Sequence, residues 1–180
     1  MVYIILGKGF EPMEAVAPCD ILRRGGVEVR FAGIGGTLIE GGHGISVQAD
    51  CTVEEMKLAE ADMVILPGGL GGVQSILASE TAMNFIRLAY EKNCLIAAIC
   101  AAPTILAALH ITDGRKATCY PGMEAQMGVA RMLPCGAVQD GNVITGRAAG
   151  SADEFGLACL RALKGEDAAR QVASGIVYRA

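Results

Sequence analysis

The chain has 180 residues, of which 52% are hydrophobic and 19% charged, with a formal net charge of −4. That length and balance suit a single globular domain over residues 1–180 with a sizeable core, and they exclude a disordered segment. The acidic excess, with Lys and Arg scattered rather than clustered, argues against nucleic acid or an anionic membrane as a partner.

In chain order, the first element is the apolar run Val2–Leu6, which reads as a buried strand and is too short for a signal peptide. A helix is predicted over Met13–Arg24, stopped by Gly25-Gly26, with Arg23 and Arg24 complementing the helix dipole in the last turn. A strand follows at Val27–Ala32. Thr37–Ala49, with glycines between short apolar segments, reads as a hairpin excursion. Met63–Leu66 is the next strand. Thr81–Lys92 is predicted helical from Met83, Ile86, Ala89 and Tyr90 at i, i+3/i+4 spacing. Further strands are predicted at Leu95–Ile99 and Lys116–Cys119. Val138–Thr145 carries the hairpin turn Asp140-Gly141-Asn142, and Ser151–Lys164 closes the pattern as a helix ended by Gly165. Short continuous apolar strands alternating with helices predict an α/β fold, a doubly wound and mostly parallel sheet with helices on both faces.

In such sheets, sites form at the carboxyl ends of strands. Three ends stand out: Gly7–Glu14, Pro67-Gly-Gly-Leu-Gly-Gly72, and Cys100. Cys100 is the most informative. It stands between the strand Leu95–Ile99 and an Ala/Leu-rich helix read from Ala101, with Pro103 in the first turn, where a missing N–H costs nothing. This is the thiol counterpart of a nucleophile elbow. A helix N-terminus lowers a cysteine pKa from about 8.5 toward neutrality, so a reactive thiolate is expected. The stretch Cys94–Ile111 has no charged side chain, but Pro103 at its middle and its small residues argue against a membrane span.

Neither GxGxxG nor GxxxxGK[ST] is present, so Gly68-Gly69 is read as an oxyanion turn rather than a phosphate loop. The amides of Gly69 and Ala101 are the expected donors to an oxygen bound beside Cys100. Glu11 and Glu14 occupy the first turn of the first helix. Glu11 is read as a dipole partner. Glu14, one turn on, is placed to approach Cys100 if that face meets the strand ends. A carboxylate beside a thiolate keeps one proton in the pair: either neutral Glu14 donates to sulfur, or the thiol stays protonated. His110 falls about 15 Å along the helix that Cys100 opens and is read as a dipole partner. His43, in the Gly-rich hairpin, reaches a site only by folding over or from a second subunit. Seven cysteines without CxxC or metal-ligand spacing, and two histidines, argue against zinc. Free thiols lead us to expect a reducing, cytoplasmic setting.

The blocks Gly9-Phe-Glu-Pro-Met-Glu-Ala-Val16, Val64-Ile-Leu-Pro-Gly-Gly69, Ala97-Ala-Ile-Cys-Ala-Ala-Pro103 and Gly150-Ser-Ala-Asp-Glu-Phe155 resemble the ThiJ/PfpI superfamily, in the branch of Parkinson disease protein 7 and bacterial YajL. The resemblance implies a flavodoxin-like sheet and a homodimer, with two-fold contacts near Arg24, the Gly-rich hairpin and Cys51. It makes Cys100 the nucleophile, Glu14 its protonated carboxylic partner, and Gly69 and Ala101 the amide donors. Three departures matter. Ala101 stands where the protease-like branch has His, which argues against a peptidase. Tyr120 stands where some closer members have His. Ala148-Ala149-Gly150-Ser151 replaces a Gly-Pro-Gly-Ser/Thr turn and alters a pocket wall.

The activity so implied is cofactor-independent. Cys100 attacks the aldehyde of a small dicarbonyl such as methylglyoxal, Glu14 moves the protons, and a hydroxy acid results; deglycation is the same chemistry on another adduct. The alternative is a redox sensor or redox-regulated chaperone that uses oxidation of Cys100, with Glu14 bonding the oxidised sulfur.

Overall fold

The computed structural model describes residues 1–179. Its strands are β1 (Val2–Leu6), β2 (Val29–Gly33), β3 (Leu38–Glu40), β4 (Ser46–Gln48), β5 (Cys51–Thr52), β6 (Met63–Leu66), β7 (Leu95–Ile99), β8 (Lys116–Ala117), β9 (Arg131–Met132), β10 (Ala137–Asp140) and β11 (Val143–Gly146). Its α-helices are α1 (Pro12–Arg24), α2 (Leu70–Ala78), α3 (Glu80–Glu91), α4 (Pro103–Ala108), α5 (Ala152–Lys164) and α6 (Glu166–Gly175).

The central sheet runs β10-β11-β7-β6-β1-β2-β5, parallel except for the edge strand β10, which pairs antiparallel with β11. Strand side chains alternate between faces, so each strand feeds two cores. Val2, Ile4, Leu6, Met63, Ile65, Ala97, Ile99 and Ile144 pack under α1, α5 and α6. Tyr3, Ile5, Val64, Leu66, Ile96, Ala98 and Val143 pack under α2, α3 and α4. Burial on both faces explains why these strands are apolar throughout. From β1 the chain winds outward to β2, then returns to lay down β6 and β7 on the other side of β1. The winding reverses between β1 and β6, and the crevice there is where α/β sheets place ligands.

The predicted hairpin over Thr37–Ala49 is β3–β4. The segment Lys116–Cys119 departs from expectation. Only Lys116–Ala117 is a strand, and it pairs with β9 outside the central sheet. The edge of β11 is already taken by its own hairpin partner β10. Thr118 instead donates its amide to the Thr145 hydroxyl at 2.9 Å, a side-chain bond that replaces a ladder bond. Two helices carry no clear signal in the sequence. α2 holds Gly71 and Gly72 in its first turn, against helix propensity, and α6 buries only Ala169 and Val172. The charge-free stretch from Cys94 is broken into β7, the elbow and the six-residue α4. Among the described residues, no helix is long and apolar enough to cross a membrane.

Candidate active site

Cys100 follows directly on β7 and has φ +67, a left-handed conformation that is costly for a residue with a side chain. Two backbone bonds hold it there. Its amide donates to the Gly146 carbonyl at 2.9 Å, and its carbonyl accepts from the Tyr120 amide at 2.7 Å. The chain thereby turns sharply and presents the sulfur, half-buried, at the end of the sheet.

Glu14 comes from the first turn of α1 and is fully buried. Its Oε2 accepts the Gly68 amide at 2.8 Å. Its Oε1 is buried with no hydrogen-bond partner, and the Cys100 side chain lies next to this carboxyl across Gly68 and perturbs its titration. The turn after β6 has to be glycine for steric reasons. A Cβ on Gly68 would lie 2.5 Å from Glu14 Oε2 and 2.7 Å from Cys100 Cβ, and Gly69 has φ +82. With no side chains in the way, the Gly69 and Ala101 amides both face the Cys100 sulfur. Cys100, Glu14, Gly69 and Ala101 are thus brought together on one cavity of about 640 Å³.

The electrostatics correct one expectation. Burial strips water from Glu14 and pushes its carboxyl from 4.5 up to about 7, against the opposing influence of Cys100 and the Gly68 amide. Burial also pushes the Cys100 thiol up, to about 12; the charge of Glu14 adds to the rise, and the Ala101 and Gly69 amides oppose it. The helix N-terminus does not lower this thiol as expected, because desolvation outweighs the short α4, which begins only at Pro103, and the adjacent carboxyl adds to the rise. The two groups titrate as one system that retains a proton above neutrality. Burial favours the protonated form of both groups.

His43 takes the first of the two routes its sequence position left open, folding over within the chain. The hairpin folds over the first loop, with the Gly42 amide donating to the Phe10 carbonyl at 2.8 Å. His43 Nε2 then lies 3.5 Å from Glu11 Oε2, within the same chain. Glu11 caps α1, accepting the Met13 amide, and it also lines the cavity, so its role exceeds that of a dipole partner. His110 pairs with Asp113 at 3.0 Å on the surface and does not line the cavity. Tyr120 and the Ala148-Ala149-Gly150 wall do line it. Leu70, Pro121, Gly122, Met123 and Gln126 complete the lining and were not legible in the sequence as site residues; they arrive from α2 and from the segment after β8.

Residues 1–162 match the DJ-1/PfpI family. The chain belongs to that family. It is 36% identical over 177 residues to Drosophila melanogaster protein dj-1beta, covering 97% of this chain and 95% of the relative. It is 32% identical over 148 residues to a Pyrococcus horikoshii protein named deglycase PH1704, covering 81% of this chain and 89% of the relative. The oxidized structure of Toxoplasma gondii DJ-1 superposes with a TM-score of 0.94 at 27% identity, covering 99% of this chain and 98% of the other. The flavodoxin-like α/β fold expected from the sequence is the fold of this family.

Proposed function

We propose that this DJ-1/PfpI protein converts small reactive dicarbonyls to hydroxy acids without a cofactor, with Cys100 as nucleophile and Glu14 as acid–base. The observation that carries the reading is the contact between a strained elbow thiol and a buried carboxyl raised to about 7, with the Gly69 and Ala101 amides beside the sulfur. A carboxyl near neutrality can take a proton and return it in one turnover. A relative that bears the name deglycase supports the same class of chemistry.

For methylglyoxal, the sulfur bonds to the aldehyde carbon while the thiol proton passes through Glu14 to the aldehyde oxygen, giving a thiohemiacetal. The Gly69 and Ala101 amides are the donors available to that oxygen. Glu14 then takes the hydrogen from the same carbon as a proton, and the electron pair moves toward the former ketone as an enediol forms. That proton passes to the former ketone oxygen; the hydroxyl on the first carbon then gives up its proton, which reaches the adjacent carbon through Glu14 as the first carbon collapses to a thioester. Water cleaves the thioester to the hydroxy acid and the thiol. One carbon is oxidised and its neighbour reduced, with the net addition of one water, so no external redox partner is required. In the test, Cys100→Ser should abolish conversion of methylglyoxal to lactate in a purified, metal-free assay. Residual turnover near the wild-type rate would remove Cys100 from the mechanism.

A second reading, a peroxide sensor, is favoured by the half-exposed thiol beside a carboxyl and by the oxidized state of the Toxoplasma relative. It would show stoichiometric oxidation of Cys100 to sulfinate with no dicarbonyl turnover in the wild type.

The protein is also proposed to act as an isologous homodimer. Met13, Val16 and Ile45 are large apolar residues at 58%, 45% and 51% exposure, and they line one groove with Arg24. Cys51 lies on β5 at the sheet edge. Sedimentation at micromolar concentration should give a dimer, and Val16→Glu should give a monomer; a monomeric wild type would refute the assembly. Seven free cysteines support a reducing, cytoplasmic setting for the same protein.

A further inference from the structure

The elbow conformation is held from outside the cavity. Two backbone bonds fix the positive φ of Cys100, and both lead to β11. The Cys100 amide donates directly to the Gly146 carbonyl. The Cys100 carbonyl accepts from the Tyr120 amide; two residues earlier, the Thr118 amide donates at 2.9 Å to the hydroxyl oxygen of Thr145, the residue before Gly146. Three hydrogen bonds thus close a ring through Gly146, Cys100, Tyr120, Thr118 and Thr145. Thr145 is fully buried and Thr118 is 2% exposed, and neither lines the catalytic cavity. Thr145 shares a face of β11 with Val143, under α2, α3 and α4, where a valine of the same shape would suit an apolar core. A buried hydroxyl is costly unless it is bonded. Here it is bonded to the segment that carries Tyr120. The same segment is pinned to β10 by the Lys116 amide, which donates to Asp140 Oδ2 at 2.8 Å, and the Thr118 hydroxyl donates to the Cys135 carbonyl at 3.1 Å.

We infer that Thr145 is a positioning residue for the reactive thiol: its hydroxyl, through the Thr118 and Tyr120 amides, holds Cys100 in the left-handed conformation that keeps the sulfur beside Glu14 and the Gly69 and Ala101 amides. This rests on the reading of Cys100 as the reactive group of the site. A left-handed residue with a side chain persists only where its surroundings over-determine it. Without the Thr145 acceptor, the buried Thr118 N–H loses its partner, which is costly. The segment then shifts to find another acceptor and draws the Tyr120 amide away from the elbow carbonyl. Cys100 relaxes toward negative φ, and the sulfur leaves the carboxyl. In a preorganised site, a misplacement of about 1 Å costs on the order of 10²-fold in rate.

Thr145→Val and Thr145→Ser test this on the full chain. Valine has the shape of threonine and accepts no hydrogen bond; serine keeps the acceptor. Thr112→Val is the control, because Thr112 is also fully buried, its hydroxyl has no partner, and it lies outside the ring. The first readout is the pH dependence of iodoacetamide labelling at Cys100, followed by peptide mass spectrometry, which needs no turnover. In folded Thr145→Val the labelling midpoint should fall by about one pH unit or more, toward that of an ordinary cysteine, because the sulfur gains water and leaves Glu14. Thr145→Ser and Thr112→Val should keep the wild-type profile. The second readout is dicarbonyl turnover. Thr145→Val should lose roughly 10–10²-fold in kcat with KM nearly unchanged, since the residue does not touch substrate. A folded Thr145→Val with the wild-type labelling profile would overturn the proposal, as would a serine variant or a Thr112→Val control displaced as far as the valine. If Thr145→Val does not fold, Thr118→Val, which cuts only the bond to Cys135, takes its place: it should move the midpoint in the same direction, and an unmoved midpoint would overturn the proposal. If the wild type turns over no dicarbonyl but the labelling profiles divide as stated, the catalytic reading fails and the positioning role stands. If the wild type turns over dicarbonyls and Thr145→Val matches it in both readouts, the positioning role fails and the catalytic reading stands.

Discussion

Glu14→Gln should lower dicarbonyl turnover by roughly 10²–10⁴-fold, the usual worth of general acid–base catalysis. Glutamine has nearly the size of the carboxyl and can still accept the Gly68 amide, which now reaches Oε2 at 2.8 Å. It cannot take the thiol proton or relay protons among the substrate's carbons and oxygens. The thiol itself should stay reactive toward neutral alkylating agents. The Glu14 carboxylate is one of the causes that push Cys100 up to about 12, so removing its charge brings the thiol down. Turnover and thiol reactivity should therefore part company in this variant, measured by lactate formation and by iodoacetamide labelling on the same preparation. Glu11→Gln should lose less turnover on a neutral substrate, because Glu11 lies outside hydrogen-bond contact with the sulfur in the structure. Equal losses in the two variants would leave Glu14 with no special place beside Cys100.

The same substitution should change how stability depends on pH. Glu14 is raised from 4.5 to about 7 in the folded chain, so between those values the native state holds a proton that the unfolded state has released. Wild-type stability therefore falls as pH rises from about 4.5 to about 7, and this group contributes nothing further above that range. Glutamine does not titrate. The stability of Glu14→Gln relative to wild type should rise by about 3 kcal/mol between roughly pH 4 and pH 8. In a chain of this size, that corresponds to roughly 6–12 °C in the relative Tm. Thermal unfolding of both proteins across that pH range would show the divergence. Parallel curves would mean that the carboxyl is hydrated in solution and that its place in the proton relay is lost. A variant that gains stability where it loses activity would be consistent with strain retained for chemistry, the same logic by which Cys100 tolerates a positive φ.

The sequence by itself determined the layer architecture and the elbow. Val2–Leu6, Met63–Leu66 and Leu95–Ile99 appear as strands at the positions read from their apolar runs, since a strand buried on both faces leaves no polar position to confuse the pattern. Cys100 could be singled out because a strand, a thiol and a helix-opening proline stand together in a local motif. Local signals failed where partners come from afar. Lys116–Cys119 has the composition of a core strand, but β10 occupies the edge it would have joined, and only the hairpin geometry around residues 137–146 decides that. α2 forms despite its glycines because those glycines pack against the first loop: a Cβ on Gly72 would lie 2.7 Å from Phe10 Cα.

Only the tertiary structure decided the chemistry of the pair. The helical spacing of Glu11 and Glu14 shows that they can share a face. It does not show that α1 turns Glu14 into a water-free space under Gly68 while leaving Glu11 at the cavity mouth beside His43. The sequence reading left open which member of the Cys100–Glu14 pair would keep the proton, and it expected a lowered thiol. Burial reversed that expectation, because desolvation depends on every atom packed around the two groups and outweighs the short α4 whose N-terminus lies next to them. A pKa is set by surroundings that residues 50 to 100 positions apart assemble, and no local pattern in the chain records them.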